Sequence, residues 1–308
     1  MTQIYHEGEL GVQARSGVQE LASRVGKSIR SFMPLAAQEF LSSLPMAVLA
    51  SVDRQGQVWA SLLTGEAGFM QAVDGRTVRI DAPPVGGDPL RENLVVNNQV
   101  GMIAIEFSTR RRMRINGTAE IGRDSAIYIH AIQVYSNCPK YIQARAWQVE
   151  DGETPVAGEV RRTTELTEPQ RVWIESADTF FIASHHGEGG ADASHRGGNP
   201  GFVRVLDKGA LVFPDYAGNT MFQTLGNLAL NPNCGLLFID FERGETLQLT
   251  GTAQIIWDSE RLAEFAGAER AVEFRIAEAI EIFGSIRLNW QFMDYSPFNP
   301  KSSLETAF

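Results

Sequence analysis

Val48-Leu-Ala-Ser51 returns as Phe181-Ile-Ala-Ser184, 133 positions further along the chain. The same offset carries Ala60-Ser61 to Ala193-Ser194, Gly65 to Gly198, and Gly68-Phe69 to Gly201-Phe202. Beyond a one-residue insertion the offset is 134: Asn93-Leu94 returns as Asn227-Leu228, Gly101 as Gly235, Phe107 as Phe241, and Gly117-Thr-Ala119 as Gly251-Thr-Ala253. Asp124-Ser125 and Asp258-Ser259 close the series. Agreement in one order, over a long stretch, marks a duplicated module rather than shared turn chemistry.

Each copy reads as short β segments separated by Gly, Asp and Asn turns. In the first, Ala47 to Val52 is a strand, Asp53 to Gly56 a hairpin turn and Gln57 to Leu63 the return strand. Val78 to Ile80, Val100 to Phe107 and the alternating Arg112 to Ile121 follow. Helical pieces are expected at Leu90 to Asn97 and Phe222 to Leu230, and longer helices after each copy, at Ser125 to Val134 and Ser259 to Ile282. Many short antiparallel strands suggest a small barrel, which leaves few exposed edges. The fold expected is mainly β with flanking helices, two tandem barrels in one chain. Residues 1–39 form an N-terminal helical or extended arm, 40–148 the first module, 149–174 an exposed linker and 175–308 the second module with a C-terminal helix. Two such barrels would pack face to face and build sites at the seam.

The 308 residues carry 27 Lys and Arg against 37 Asp and Glu, a net charge of −10. An acidic chain with no basic stripe is a poor partner for nucleic acid or anionic membrane, although a local basic pocket remains open to a small anion. No apolar run is long enough for a spanning helix, and Met1 to Leu10 lacks a signal-peptide pattern, so a cytoplasmic location is expected. Two cysteines are too few for a disulfide framework or a four-thiolate metal site. Cys138, after an expected helix, reads as a packed structural thiol. His185, His186 and His195 have no metal-ligand spacing, so no metal is expected; one of them could instead be an axial haem ligand.

Three clusters carry the chemistry. Asp192-Ala-Ser-His-Arg-Gly-Gly-Asn-Pro-Gly201 places Ser194, His195 and Arg196 beside glycines that admit close approach. Arg196 offers a planar fork suited to phosphate. The first copy has lost the His-Arg pair at this position, so the copies do different jobs. Phe213-Pro-Asp-Tyr-Ala-Gly-Asn-Thr-Met-Phe-Gln-Thr-Leu-Gly-Asn227 reads as strand end, turn and helix start, with Asn219 and Thr220 as cap candidates and free N–H groups for an anion. These two clusters are expected on adjacent strands of one barrel. Thr109 to Arg114 puts Arg110, Arg112 and Arg114 on one face, either an anion site or a charged edge strand. Lys140 and Arg145 are weaker candidates to supplement a phosphate site.

Asp-x-Ser-x-Arg-Gly-x-x-Pro-Gly-Phe-Val at Asp192 to Val203, Pro-Asp-x-x-Gly-Asn at Pro214 to Asn219, and Thr-Leu-x-Asn at Thr224 to Asn227 resemble the pyridoxamine 5′-phosphate oxidase-related FMN-binding split-barrel proteins. Trp59 to Leu63, Gly87 to Leu90, Thr109 to Arg112 and Asn137 to Gln143 are similar to a tandem-module subgroup often fused to a ferredoxin–NAD(P) reductase-like unit. The resemblance implies FMN between two split barrels, with Ser194 and Arg196 on the phosphate. It places Asp215, Asn219 and Thr220 along the adjacent strand end, Gln248 on a face that reaches the flavin, and Arg112 and Arg114 facing from the other copy; His195, Phe222, Thr224 and Lys140 complete the expected binding set. Relatives often have a basic residue where this chain has Met221. The function implied is an FMN-dependent oxidoreductase acting on a small molecule, with electrons from NAD(P)H or a separate reductase. A non-enzymatic flavin or haem carrier or sensor is the alternative, and a homodimer is among the assemblies allowed.

Overall fold

The computed structural model describes residues 4–149, 158–284, 286 and 288–301. Two helices open the chain, α1 (Glu7–Arg15) and α2 (Gln19–Gly26). The first module runs α3 (Leu35–Ser42), β1 (Met46–Val52), β2 (Val58–Thr64), β3 (Met70–Ala72), β4 (Thr77–Ile80), α4 (Leu90–Val96), β5 (Gln99–Glu106), β6 (Arg111–Ile121), β7 (Ile127–Ser136) and β8 (Ala144–Val149). The second runs β9 (Val160–Thr163), α5 (Glu168–Ser176), β10 (Thr179–His186), β11 (Gly190–Gly197), β12 (Arg204–Asp207), β13 (Ala210–Tyr216), α6 (Gln223–Leu230), β14 (Asn233–Asp240), β15 (Glu245–Ile256), α7 (Ser259–Leu262), β16 (Ala268–Ile282) and β17 (Leu288–Asp294).

The duplication is visible in the topology. One sheet has the order β2-β1-β5-β6-β7-β4-β3 and the other β11-β10-β14-β15-β16-β13-β12, the same path strand for strand. The repeat extends further upstream than the sequence motifs show. Arg30 bridges Val134 on β7, and Thr163, 133 positions later, pairs with Ala279 at the matching place on β16. Helices α3 and α5 then begin at equivalent residues, Leu35 and Glu168.

Two strands replace expected helices. Ile127 to Ser136 is β7 and Ala268 to Ile282 is β16, with only Ser259 to Leu262 helical. Ala, Glu and Arg in the second stretch satisfy a helical period as well as a β one. The barrel decides, because β15 needs a partner along most of its length and β16 supplies it from Ala271 to Ile282. β-Bulges at Asn116/Gly117 and Thr250/Gly251 break the two-residue alternation that would have revealed both strands. The stretch read as a linker contains β9, laid against β16, and the start of α5.

β1 is buried along its whole length because its two faces serve two cores. Ala47 and Leu49 enter the first barrel. Met46, Val48, Ala50 and Val52 face the other module, in a layer shared with Phe181, Ala183, Leu237 and Ile239. This explains a continuous apolar run where a half-exposed strand would alternate. The repeated glycines sit where backbones cross this layer. A Cβ on Gly101 would lie 2.5 Å from Asp192 Cα, and one on Gly235 2.5 Å from the Val58 carbonyl oxygen. We expect Gly101→Val to lower stability by about 1–3 kcal/mol through overpacking, read as a lower urea midpoint; an unchanged midpoint would mean that the modules are not in tight contact there.

Candidate functional site

A cleft opens at the seam where β6 of the first module faces β11 of the second. Arg112, Arg114, Cys138, Lys140, His195, Arg196, Asp215, Asn219, Thr220, Phe222 and Thr224 line it. Every proposed binding residue except Ser194 and Gln248 is therefore on its wall, and Ser194 lies directly behind, bonded to two of its arginines.

The polar cluster at Asp192 is a strand, β11, whose partner strand is β10 and not β13. Nor are the two main clusters on adjacent strands: β11 and β13 stand far apart in the sheet order and meet across the split of the barrel. Alternation along β11 sends Asp192, Ser194 and Arg196 to one side, where Arg114 reaches over from β6. Its Nη1 donates to both Asp192 carboxylate oxygens at 3.0 and 3.1 Å, and its Nη2 to Ser194 Oγ. Thr224 Oγ1, Tyr135 OH and Asn116 Nδ2 donate to the same carboxylate. Arg196 donates to Ser194 Oγ at 2.7 Å and lies 3.6 Å from Asp215, which Arg270 on β16 also binds at 2.9 Å.

The charge count does not close within the protein. Arg112, Arg114, Arg196 and Arg270 have three carboxylates between them, Asp192, Asp215 and, on Arg270, Glu269; among the described residues Arg112 has no carboxylate partner. Burial and the neighbouring guanidinia push the Arg112 pKa down to about 9 and lower that of Arg196. Arg112 Nη1 lies 3.0 Å from His195 Nδ1. Arginine only donates, so the ring accepts at Nδ1 and carries its proton on Nε2. Burial and then the Arg112 charge hold His195 well below the ordinary imidazole range, so it is neutral at pH 7. The Nε atoms of Arg112, Arg114 and Arg196 and Nε2 of His195 are buried without a partner. Such atoms call for an anionic, hydrogen-bond-accepting occupant.

The other wall supplies backbone donors. Asn219 Oδ1 accepts from the Met221 N–H, and Thr220 and Phe222 both adopt left-handed backbone, with φ of 63°. This turn delivers α6 without a side-chain cap, leaving first-turn N–H groups beside Arg196. Met221 does not face the cleft. It is 1 % exposed, packs with Tyr5, Ala22 and Tyr135, and its carbonyl accepts from Gln13 on α1. The N-terminal arm thus covers the place where a basic residue is often found.

Two expectations are corrected. Cys138 follows a strand rather than a helix and is exposed on the cleft rim, not packed. Gln248 lies at the opposite, pseudo-equivalent seam, where its Nε2 donates to the Ala60 carbonyl, Ser61 Oγ and Asp88. Gln248–Ser61 there stands where Arg114–Ser194 stands in the cleft. Trp59, Ile280 and Ile282 fill that second seam, and Arg162 of β9 bonds to the Gly87 carbonyl beside it. The sequence reading missed Arg270, because β16 was read as helix, and Tyr135, because β7 was.

Burial pushes the Asp88 carboxyl up to about 6 against hydrogen bonds from Leu90 N, Ser61 Oγ and Gln248 Nε2, which lower it. A raised carboxyl pKa gives stability that is complete below the unfolded value near 3.8 and is lost as pH rises through about 6. Asp88→Asn removes this dependence, and its amide can donate to the unpartnered Gln248 Oε1 once that group turns. We therefore expect its urea midpoint, relative to wild type, to rise between pH 4.5 and 7; parallel profiles would show that the carboxyl titrates normally.

The family model for pyridoxamine 5′-phosphate oxidase matches residues 33–148 and again 166–284, and the chain belongs to that family. No curated protein matches it. Among solved structures, a Lactobacillus delbrueckii protein described only provisionally as a pyridoxamine 5′-phosphate oxidase is 19% identical, covering 38% of this chain and 94% of its own, with a TM-score of 0.32. A Clostridium acetobutylicum protein related to general stress protein 26, of the pyridoxinephosphate oxidase family, is 12% identical over 39% and 89%, with a TM-score of 0.30. The FAD binding protein from Mycobacterium smegmatis is 18% identical over 39% and 98%, with a TM-score of 0.27. Each spans less than half of this chain. Among the described residues no helix is long and apolar enough to cross a membrane.

Proposed function

We propose that this cleft binds FMN and that the protein is an FMN-dependent oxidoreductase acting on a small molecule. The observation that carries the reading is the excess of buried guanidinium groups with unpartnered N–H donors at this seam, next to an uncapped helix start. A phosphate monoester is a dianion that would take up Arg196, Ser194 and the first turn of α6 together. Arg112, Lys140 and the neutral His195 then donate to more distant acceptors of the same ligand. Asp192 acts behind the wall by holding Arg114 and Thr224 in place. When bound, a flavin supplies hydride or single-electron transfer; the chain binds, orients and shields it. Reducing equivalents come from NAD(P)H or from a separate reductase.

The absorption spectrum of the purified protein, before and after reconstitution with FMN, tests this. Bands near about 370 and 450 nm with one equivalent bound are expected; a Soret band without flavin affinity would overturn the reading in favour of haem. Anaerobic bleaching by NADH or NADPH separates an oxidoreductase from a passive carrier. Cys138→Ser should leave FMN affinity within about twofold, since the thiol is exposed on the rim and serine keeps its size. Loss of turnover with FMN retained would give that thiol a redox role.

A further inference from the structure

A second hollow adjoins the cleft and shares Arg112 and Asn137 with it. It lies between α3, the segment before it, and the facing ends of β6 and β7. In the second module described side chains occupy the equivalent space, and the internal repeat shows how. By offset and strand register, Ser28, Ala37 and Ser136 on the hollow's wall correspond to Arg161, Gln170 and Glu281. Those larger residues fill the equivalent space. Gln170 Nε2 donates to Glu281 Oε2 at 2.9 Å, and Arg161 Nη1 to the same oxygen at 3.3 Å. At these three positions the copy whose β6 faces the cleft has small residues and an open groove, while the other has large residues and a filled one.

The lining sets the chemistry of the occupant. Phe40, Ala36, Pro34 and Met113 give an apolar surface, and among the described residues no acidic side chain lines the groove. Two of its arginines are already neutralised, Arg110 by Asp294 and Arg111 by Glu106. Arg30 and Arg112 have no carboxylate partner among the described residues. We propose that this groove binds a small amphipathic organic anion, an apolar body ending in one acidic group, with the acid against Arg30 and Arg112. Its use as the substrate pocket of the adjoining cleft rests on the flavin reading; the binding itself does not.

The probe is 8-anilinonaphthalene-1-sulfonate, an apolar body with a single sulfonate. Titration of the full-length protein by fluorescence should show one equivalent bound, both with and without FMN. Restoring the plug with Ala37→Gln/Ser136→Glu should weaken the probe at least tenfold, and Arg30→Ala several-fold, with FMN affinity unchanged. Ala37→Gln alone, checked by circular dichroism and melting, guards against misfolding of the double variant. Equal probe affinity in wild type and plugged variants, or no saturable binding to wild type, would overturn the proposal. Stoichiometric displacement of the probe by FMN would overturn it as a separate site. Failure of FMN to bind while the probe still discriminates the variants would sink the flavin reading alone.

Discussion

Arg196→Ala should raise the dissociation constant for FMN by between about tenfold and a hundredfold. A charge-assisted hydrogen bond is worth about 1.5–3 kcal/mol, and each 1.4 kcal/mol is about a factor of ten. The substitution is a clean probe because it leaves no new buried charge. Asp215, the carboxylate beside Arg196, keeps its closer partner Arg270 at 2.9 Å. Ser194 Oγ keeps Arg114. The urea midpoint without flavin should therefore move little, and removal of one of several crowded guanidinia offsets part of the lost contact. Arg196→Lys should recover only part of the affinity, since an ammonium cannot present the planar fork. Flavin fluorescence quenching on titration measures all three proteins. An affinity equal to wild type in the alanine variant would place the phosphate elsewhere along the cleft, with Arg112 and Lys140 as the remaining cations.

Much of this geometry was legible in the sequence, and the reasons for the gaps are specific. The repeat could be read because the glycines it preserves, Gly101 and Gly235, sit where two backbones touch and no Cβ fits. Arg112 and Arg114 could be placed on one face because β6 alternates without interruption up to Asn116. β7 and β16 were hidden by bulges and, in β16, by residues that serve either period. With them went Tyr135 and Arg270, which complete the carboxylate contacts of the site. Gln248 was assigned to the wrong seam for another reason. A duplicated chain has two pseudo-equivalent crevices, and a motif places a residue on a strand without saying which crevice that strand faces. The structure answers by pairing: β15 lies against β2, and β6 against β11.

The opposite kind of effect is expected at Asp192. Its carboxylate is 1 % exposed and gathers Arg114, Asn116, Tyr135 and Thr224 from both modules. Asp192→Ala strands the Arg114 guanidinium in a low-dielectric seam beside Arg112 and Arg196, with no carboxylate of its own. Breaking a buried pair from one side costs about 3–5 kcal/mol, so the urea midpoint without flavin should fall far below that of Arg196→Ala. Asp192→Leu/Arg114→Met should recover most of the loss, because removing both charges avoids the desolvation penalty of either alone. A bound dianion would offset part of the same imbalance. Saturating FMN should therefore stabilise the folded Asp192→Ala protein by ligand linkage, to the extent that its affinity survives. If Asp192→Ala unfolds at the wild-type urea concentration, the carboxylate does not hold the modules together. If the double variant is no better than the single, the loss comes from packing rather than from a stranded charge.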